Sequence, residues 1–262
     1  MTSKKTISIL GCGWYGLPLA IELTSCGYLV KGSTTTSAKL ETMQEKGIIP
    51  FLIDLNNLTS TNDGFWDADR LIITLPPSGH PEEFEKKIQL LAAITSQQRY
   101  DQLIVISSTS VYPDENGTVL EEHASYQTSS HSGISLLKYE NLLFKSNTCI
   151  IRFGGLFGPN RHPVKFLSGR ELSGGSAPVN LIHRSDCIAI TLSIIKQGIV
   201  NTRLNACHPD HPSRTDYYTM AAQRLGIPPP VFSAEPTAFK KVSSEKLIRR
   251  INYQFSKKLQ IT

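Results

Sequence analysis

The chain is poor in the features that stabilise small secreted domains or anchor a protein in a membrane. Its 262 residues include only five cysteines, which lie far apart and form no CxxC pair, so neither a disulfide framework nor a zinc ribbon is indicated. The apolar runs are too short for a signal-peptide core or a membrane span, and the longest is Ile188–Ile195. We therefore expect a cytoplasmic protein with no membrane contact and no bound metal.

The first 230 residues carry no net charge, because their basic and acidic side chains are equal in number. The formal net charge is +5, with 40% hydrophobic and 19% charged residues, which is a globular composition. Residues 231–262 contain seven basic and two acidic side chains, so this basic tail carries the whole net charge. Because the rest of the chain is balanced, the composition offers no basic surface for nucleic acid, and we expect none to bind.

Short apolar runs alternate with helix-like stretches over the first 155 residues. Near-continuous apolar strands indicate a parallel sheet covered on both faces, and the alternation predicts a doubly wound α/β fold. Strands are predicted at Thr6–Leu10, Tyr28–Lys31, Ile48–Asp54, Arg70–Leu75, Leu103–Ser107 and Thr148–Phe153, and helices at Trp14–Cys26, Ala38–Lys46, Pro81–Thr95 and Ile134–Phe144.

Glycine and proline become dense after Phe153, which indicates loops that leave the sheet to form a substrate lobe. Helical patterns return at Ser185–Lys196, Ser213–Leu225 and Ser244–Ile251. We therefore predict a dinucleotide-binding domain over residues 1–155. A small C-terminal substrate lobe with the basic tail would occupy residues 156–262, with about 179–208 returning to the core.

The motif GCGWYG is a GxGxxG that follows the first predicted strand and precedes the first predicted helix. In this position Gly11 permits a tight turn, Gly13 lets a pyrophosphate approach the backbone, and Gly16 lets helix and strand pack closely. Trp14 and Tyr15 complete the start of the helix, where N–H groups and the helix dipole favour phosphates. The motif predicts dinucleotide binding, and the alternative is a glycine-rich turn without a ligand.

The end of the second strand indicates which dinucleotide is bound. NAD sites place an acid about 20 residues after the glycine motif to bind the ribose 2′-hydroxyl. Here the segment KGSTTT holds no carboxylate, and a lysine, either Lys31 or Lys39, together with the hydroxyl groups fits a 2′-phosphate. We therefore favour NADP over NAD, although Ser and Thr here can also simply start a helix. The predicted contacts are Ser33, Thr34, Thr35 and Lys39.

Several segments resemble one known family, in the right order. SSTSVY after the fifth strand, Ile151-Arg152 followed by LFGP, and VNLIHRSD look like segments of the extended short-chain dehydrogenases/reductases, the NAD-dependent epimerase/dehydratase family. The resemblance covers about residues 6–225, and the segments GxGWxGxPLA, SSTSVY and RHP are shared with the YeeZ-type proteins. It implies an NAD(P)-binding Rossmann fold, with most family members acting on nucleotide sugars. Further cofactor contacts would come from Asp54 and Leu55 near the adenine, and from Leu75, Pro76 and Ser107.

The catalytic pair of that family is absent. The resemblance to this family implies a Ser/Thr–Tyr–Lys catalytic arrangement, in which a Tyr acts as acid/base and a Lys four residues later lowers the pKa of that Tyr. The register of the family pattern YGxSKxxxE fits SGISLLKYE, with Ser132 in the Tyr position and Leu136 in the Lys position. The one YxxxK in the chain, Tyr253–Lys257, lies in the basic tail, and we interpret it as chance.

Replacement catalytic residues are predicted around the same positions. Ser108 falls at the Ser/Thr position of the family and fits a ligand carbonyl or hydroxyl, or else it satisfies backbone groups of its loop. His131, beside Ser132, titrates near neutral pH and is a replacement acid/base, or else it is merely an exposed histidine.

Substrate contacts are predicted in two segments. Arg161 and His162 lie in the expected substrate loop and fit a phosphate or carboxylate, or they are solvated loop charges. Thr109 and Tyr112 belong to the SSTSVY segment.

Two functions remain open from the sequence. The first is an epimerase/dehydratase-like or reductase-like enzyme that acts on a small polar or nucleotide-sugar substrate. The second is a catalytically silent NADP(H)-binding module with a regulatory or redox-sensing role. The oligomeric state stays open as well, with a homodimer among the options.

Overall fold

The computed structural model describes residues 4–58, 64–77, 80–128, 130–233 and 235–259, together with the backbone but not the side chain of residue 131. The strands are β1 (Thr6–Leu10), β2 (Leu29–Thr34), β3 (Ile49–Leu52), β4 (Arg70–Ile73), β5 (Gln102–Ser108), β6 (Gly117–Val119), β7 (Thr148–Phe153), β8 (Gly155–Phe157), β9 (Glu171–Leu172), β10 (Leu181–His183), β11 (Thr202–Ala206), β12 (Val231–Phe232) and β13 (Lys240–Val242). The α-helices are α1 (Gly16–Ser25), α2 (Leu40–Glu45), α3 (Pro81–Gln97), α4 (His131–Leu143), α5 (Val164–Leu167), α6 (Arg184–Lys196), α7 (Arg214–Leu225) and α8 (Glu245–Ile251).

Seven strands form one parallel sheet in the order β11-β7-β5-β4-β1-β2-β3, with helices on its faces. From β1 the chain runs outward to β2 and β3 and then returns to place β4 on the other side of β1. This reversal is a topological switch point, where α/β sheets open a crevice at the carboxyl ends of their strands. The doubly wound Rossmann fold predicted from the sequence is confirmed.

The inner strands of the central sheet form because their apolar side chains are buried on both faces. Ile7, Ile9 and Leu10 of β1 are buried, and so is every residue of β7. All six predicted strands and all seven predicted helices are present. The last sheet strand, β11, and the short strands outside the central sheet were not predicted.

Contacts divide the chain into two compact units that interleave along the sequence. The first unit comprises Met1–Ser107, Ser135–Ile151 and Thr191–Arg203, and the second comprises Ser108–Ile134, Arg152–Ile190 and Leu204–Thr262. The sequence predicts a cofactor-binding domain up to residue 155 and a substrate-binding lobe after it. Because that division is defined by the ligand that each part binds, it stays a prediction. No helix in the described ranges is both long enough and apolar enough to cross a membrane.

The second unit contains three two-stranded parallel pairs, β10 with β8, β12 with β9, and β13 with β6. Its core is formed by buried side chains that include Val164, Leu181, Tyr217 and Ala222, and Leu259 of the basic tail belongs to the same cluster. The basic tail is therefore part of the folded second unit rather than an appendage.

Candidate dinucleotide site and substrate-side residues

The glycine motif forms a tight turn between β1 and α1. Gly11 has a φ of +102°, which L-residues rarely adopt, and a Cβ on Gly16 would overlap the carbonyl oxygen of Gly11. In contrast, a Cβ on Gly13 would have nothing within 4 Å. Gly11 and Gly16 are therefore required by the fold itself, whereas the absence of a side chain at Gly13 leaves open space beside the backbone.

Two hydroxyl groups hold this turn in place. Ser33, at the end of β2, accepts a hydrogen bond from the Gly11 N–H at 2.9 Å through its Oγ. Thr74, directly after β4, donates from Oγ1 to the Gly11 carbonyl at 2.6 Å. Because both hydrogen bonds are made by groups of the protein itself, the turn is fixed before any ligand binds.

A cavity of about 240 Å³ lies at this turn, within the first unit. Most of the predicted cofactor contacts are among its lining residues. These are Gly11, Gly13, Ser33, Thr34, Thr35, Lys39, Asp54, Leu55, Leu75 and Pro76.

The side of the cavity next to β2 is cationic and rich in hydroxyl groups. Lys39 and Thr35 line the cavity and are exposed. Lys31 has a different role, since its Nζ donates to the carbonyl oxygens of Gly64 and Asp67 at 2.8 and 2.5 Å. Of the two lysines that the sequence left open, the structure therefore places Lys39 at the cavity.

Four predicted cofactor residues are not part of the cavity wall. Gly16 packs under the turn, and Trp14 is half-buried. The Tyr15 hydroxyl hydrogen bonds to Thr191 Oγ1 at 2.7 Å. Ser107 is buried and donates to Glu140 Oε1 at 2.6 Å.

Further lining residues were missed by sequence reasoning, and they differ in how they could have been found. Thr74 follows β4 at the switch point, so its position alone could have indicated it. Cys12 lies inside the glycine motif, and burial raises the pKa of its thiol to about 12, so it adds no negative charge to the cavity. Lys87 lies in the middle of α3, where no sequence signal marks it. The missed lining residues are Leu10, Cys12, Thr36, Ile53, Thr74 and Lys87.

Two of the predicted catalytic residues, Ser108 and Ser132, are at least partly accessible to solvent. Ser108 is half-buried, and its Oγ accepts the N–H of Ser110 at 3.2 Å, which caps a short 3₁₀ turn. Thr109 begins that turn and is buried. Ser132 is exposed and shares a hydrogen bond with Ser130 Oγ at 2.8 Å. The side chain of His131 lies outside the described residues.

Tyr112 occupies the interior of the second unit. Its side chain is 0% exposed, and its hydroxyl donates to Asn205 Oδ1 at 2.5 Å and accepts from Arg152 Nη1 at 2.7 Å. Arg152 also donates to the Glu121 carbonyl at 2.7 Å. Burial, the largest cause, raises the pKa of Tyr112 to about 12. This geometry gives Tyr112 a structural contact in place of the predicted substrate contact, and we leave it out of the proposed site.

The predicted substrate loop is a tight turn. Backbone hydrogen bonds join Gly158 and Arg161 in both directions at 2.8 and 3.0 Å, and the Arg161 side chain is exposed. His162 stacks on Tyr217, hydrogen bonds to its hydroxyl at 3.1 Å, and accepts the Val164 N–H at 3.2 Å. Burial lowers the pKa of His162, so the imidazole is neutral at pH 7 and only Arg161 brings a positive charge.

The tail motif Tyr253–Lys257 is used for folding. The Tyr253 hydroxyl donates to the buried Asp186 Oδ1 at 2.7 Å, and the same oxygen accepts the N–H and hydroxyl of Ser256 at 2.8 and 2.9 Å. Burial raises the pKa of Tyr253. Within the described ranges no group of three metal-ligating side chains comes together.

The relatives of the chain agree with this architecture. No protein-family model matches the chain. It is 33% identical to Protein YeeZ of Escherichia coli strain K12, over 96% of this chain and 96% of that protein. Protein YeeZ of Escherichia coli O157:H7 matches to the same extent. The chain belongs to the YeeZ family. The resemblance to YeeZ-type proteins, inferred from three short segments, is confirmed.

The fold of this YeeZ-family chain is shared with solved NAD complexes. UDP-glucuronic acid 4-epimerase from Bacillus cereus in complex with NAD has a TM-score of 0.79 and 21% identity, over 97% of this chain and 93% of that one. MoeE5 in complex with UDP-glucose and NAD has a TM-score of 0.78 and 18% identity, over 97% and 94%. The YeeZ-family chain therefore shares its fold with these two proteins, which were solved with NAD bound.

Proposed function

We propose that the protein binds NADP(H) in the cavity at the glycine turn and acts on a small polar or nucleotide-sugar substrate as an epimerase/dehydratase-like or reductase-like enzyme. The observation that carries the proposal is the open space at Gly13 beside a turn already fixed by Ser33 and Thr74. It provides the close backbone approach that a pyrophosphate needs. As part of the same proposal, the protein is cytoplasmic and binds this cofactor and a small-molecule substrate, and a homodimer stays among the options.

The residues around the cavity fit the cofactor. The N-terminal end of α1 adjoins the turn and favours the pyrophosphate through the helix dipole. Thr35 and Lys39 supply hydroxyl and ammonium donors for a 2′-phosphate. Asp54 brings the only carboxylate among the lining residues, and both of its oxygens accept hydrogen bonds, from Asn56 N–H and Asn57 Nδ2, at 2.9 and 3.1 Å. These features favour NADP over NAD.

When bound, the nicotinamide supplies hydride transfer to or from a substrate carbon. Protons must then move without the family's Tyr and Lys. Ser132 is exposed and can pass a proton to water, and Ser108 can hydrogen bond to a substrate oxygen. His131, next to Ser132 in the sequence, stays a predicted replacement acid/base. Arg161 attracts an anionic substrate group.

A silent NADP(H)-binding module is the second candidate. Leu136, in the family's Lys position, is 1% exposed and apolar, so no cation is available there to lower the pKa of an acid/base. The nearest lysine along the helix, Lys138, instead pairs with Glu85 at 3.1 Å. This arrangement favours binding without turnover, which suits a protein that reports the redox state or regulates a partner.

Turnover assays separate the two candidates. We expect the enzyme, given NADP⁺ or NADPH and a panel of UDP-sugars and small carbonyl compounds, to change the absorbance at 340 nm or to convert the sugar as seen by NMR. The matched control is Gly13→Val protein, which should bind NADPH about 100-fold more weakly than wild type and is assayed at a cofactor concentration too low to fill its site. A protein that binds NADPH stoichiometrically but converts no member of the panel above that control would support the silent module.

A further inference from the structure

We infer that Lys87, in the middle of α3, is a second cation for the 2′-phosphate of NADP and a determinant of cofactor specificity. This inference rests on the proposed function, because it concerns the same cavity. Lys39 approaches that cavity from the segment after β2, and Lys87 approaches it from a different element of the first unit. An anion bound between them would therefore have an ammonium group on two sides.

The charges that line the cavity support this placement. Its lining residues include two cations, Lys39 and Lys87, and one acid, Asp54, whose carboxylate is engaged by its own turn. In the described part of the chain, neither lysine has an ion pair or a side-chain hydrogen bond, whereas Lys31 is held by two carbonyl oxygens. Unpaired ammonium groups on a cavity wall favour a dianionic ligand.

A second cavity explains how Lys87 can reach the ligand. This cavity, of about 430 Å³, is lined by Leu55, Asn56, Glu83, Lys86, Lys87 and Leu90, and it shares Leu55 and Lys87 with the first. The four α3 residues are spaced i, i+3, i+4 and i+7, so they form one face of the helix. Lys87 thus borders open space on two sides, and its long side chain has room to turn towards a phosphate.

Lys86 offers a matched control. It neighbours Lys87 on α3 and, of these two cavities, lines the second but not the first. Among the residues that line the second cavity, the only carboxylate beside Lys87 is that of Glu83, one helical turn earlier. The 2′-phosphate carries more negative charge than this single carboxylate. Lys87 should therefore prefer a charge-assisted contact with the phosphate to a solvated ion pair with Glu83. Such a contact corresponds to about a tenfold higher affinity for NADPH.

The test compares NADPH and NADH, which differ only in the 2′-phosphate, by calorimetric titration of the full-length protein. We expect Lys87→Gln to weaken NADPH binding about tenfold and NADH binding less than about twofold. Lys86→Gln should leave the ratio of the two affinities unchanged. Unchanged melting temperatures would show that both variants are folded.

The other outcomes are each decisive. If wild type prefers NADPH and Lys87→Gln keeps that preference, the inference is overturned while the proposed function stands. If Lys87→Gln weakens both cofactors equally, Lys87 does not read the phosphate, and the inference is also overturned. If wild type binds neither cofactor, the proposed function fails, and this inference fails with it.

Discussion

Replacing Gly13 with valine should weaken NADPH binding about 100-fold, which is about 2.7 kcal/mol, without destabilising the protein. The reason is that a Cβ at this position meets no atom within 4 Å in the structure, so the fold tolerates it. A pyrophosphate that must approach the backbone at Gly13 would meet the new side chain instead. Calorimetric titration with NADPH measures the loss, and thermal unfolding measures the stability.

Gly16→Ala is the matched variant, and in contrast to Gly13→Val it should lower the stability of the protein. Its Cβ would overlap the carbonyl oxygen of Gly11, so helix α1 must shift, and overpacking of this kind costs about 1–3 kcal/mol. We expect a lower melting temperature even without cofactor. If Gly13→Val bound NADPH as tightly as wild type, the pyrophosphate would not lie at this turn, and the proposed site would be wrong.

Arg152→Met should lower the free energy of unfolding by about 3–5 kcal/mol. Arg152 is 1% exposed and joins the Tyr112 hydroxyl to the Glu121 carbonyl. Methionine fills part of the volume but leaves both oxygens without this donor in the interior of the second unit, where unsatisfied polar groups are costly. Urea unfolding followed by circular dichroism measures the change.

Two further variants calibrate that result. Arg249→Met changes an arginine that is 76% exposed and should shift the stability by less than about 0.5 kcal/mol. Tyr112→Phe removes one hydroxyl and leaves Asn205 Oδ1 without its donor, which costs about 1–3 kcal/mol. A loss below about 1 kcal/mol for Arg152→Met would contradict a structural role for this network.

The sheet could be predicted from the sequence because most of its strands are locally apolar. Thr6–Leu10 and Thr148–Phe153 were predicted with the bounds that the structure has. Strand β11 was missed because it contains Thr202, Arg203 and Asn205, and its burial depends on partners elsewhere. The polar residue Asn205 can be buried because Tyr112 and Glu121, which are far away in the sequence, form hydrogen bonds with it. No local sequence pattern indicates these hydrogen bonds.

The candidate site also has a part that the sequence predicts and a part that only the tertiary structure shows. The glycine turn and the segment after β2 carry a motif with known spacing, so they could be predicted before the structure. The sequence predicts Tyr112 as a substrate contact from its segment alone, whereas the partners of its hydroxyl group lie 40 and 93 residues further along the chain. Lys87 reaches the cavity from the middle of a helix whose sequence is that of an ordinary amphipathic surface helix.

We propose above all that this chain binds NADP(H) at the glycine turn. The most direct measurement is a calorimetric titration of the purified, cofactor-free protein with NADPH and, separately, with NADH. We expect one NADPH per chain and an affinity about tenfold or more above that for NADH, because we propose that Thr35, Lys39 and Lys87, which line the cavity, contact the 2′-phosphate. No heat of binding with either cofactor, or tighter binding of NADH, would contradict the account.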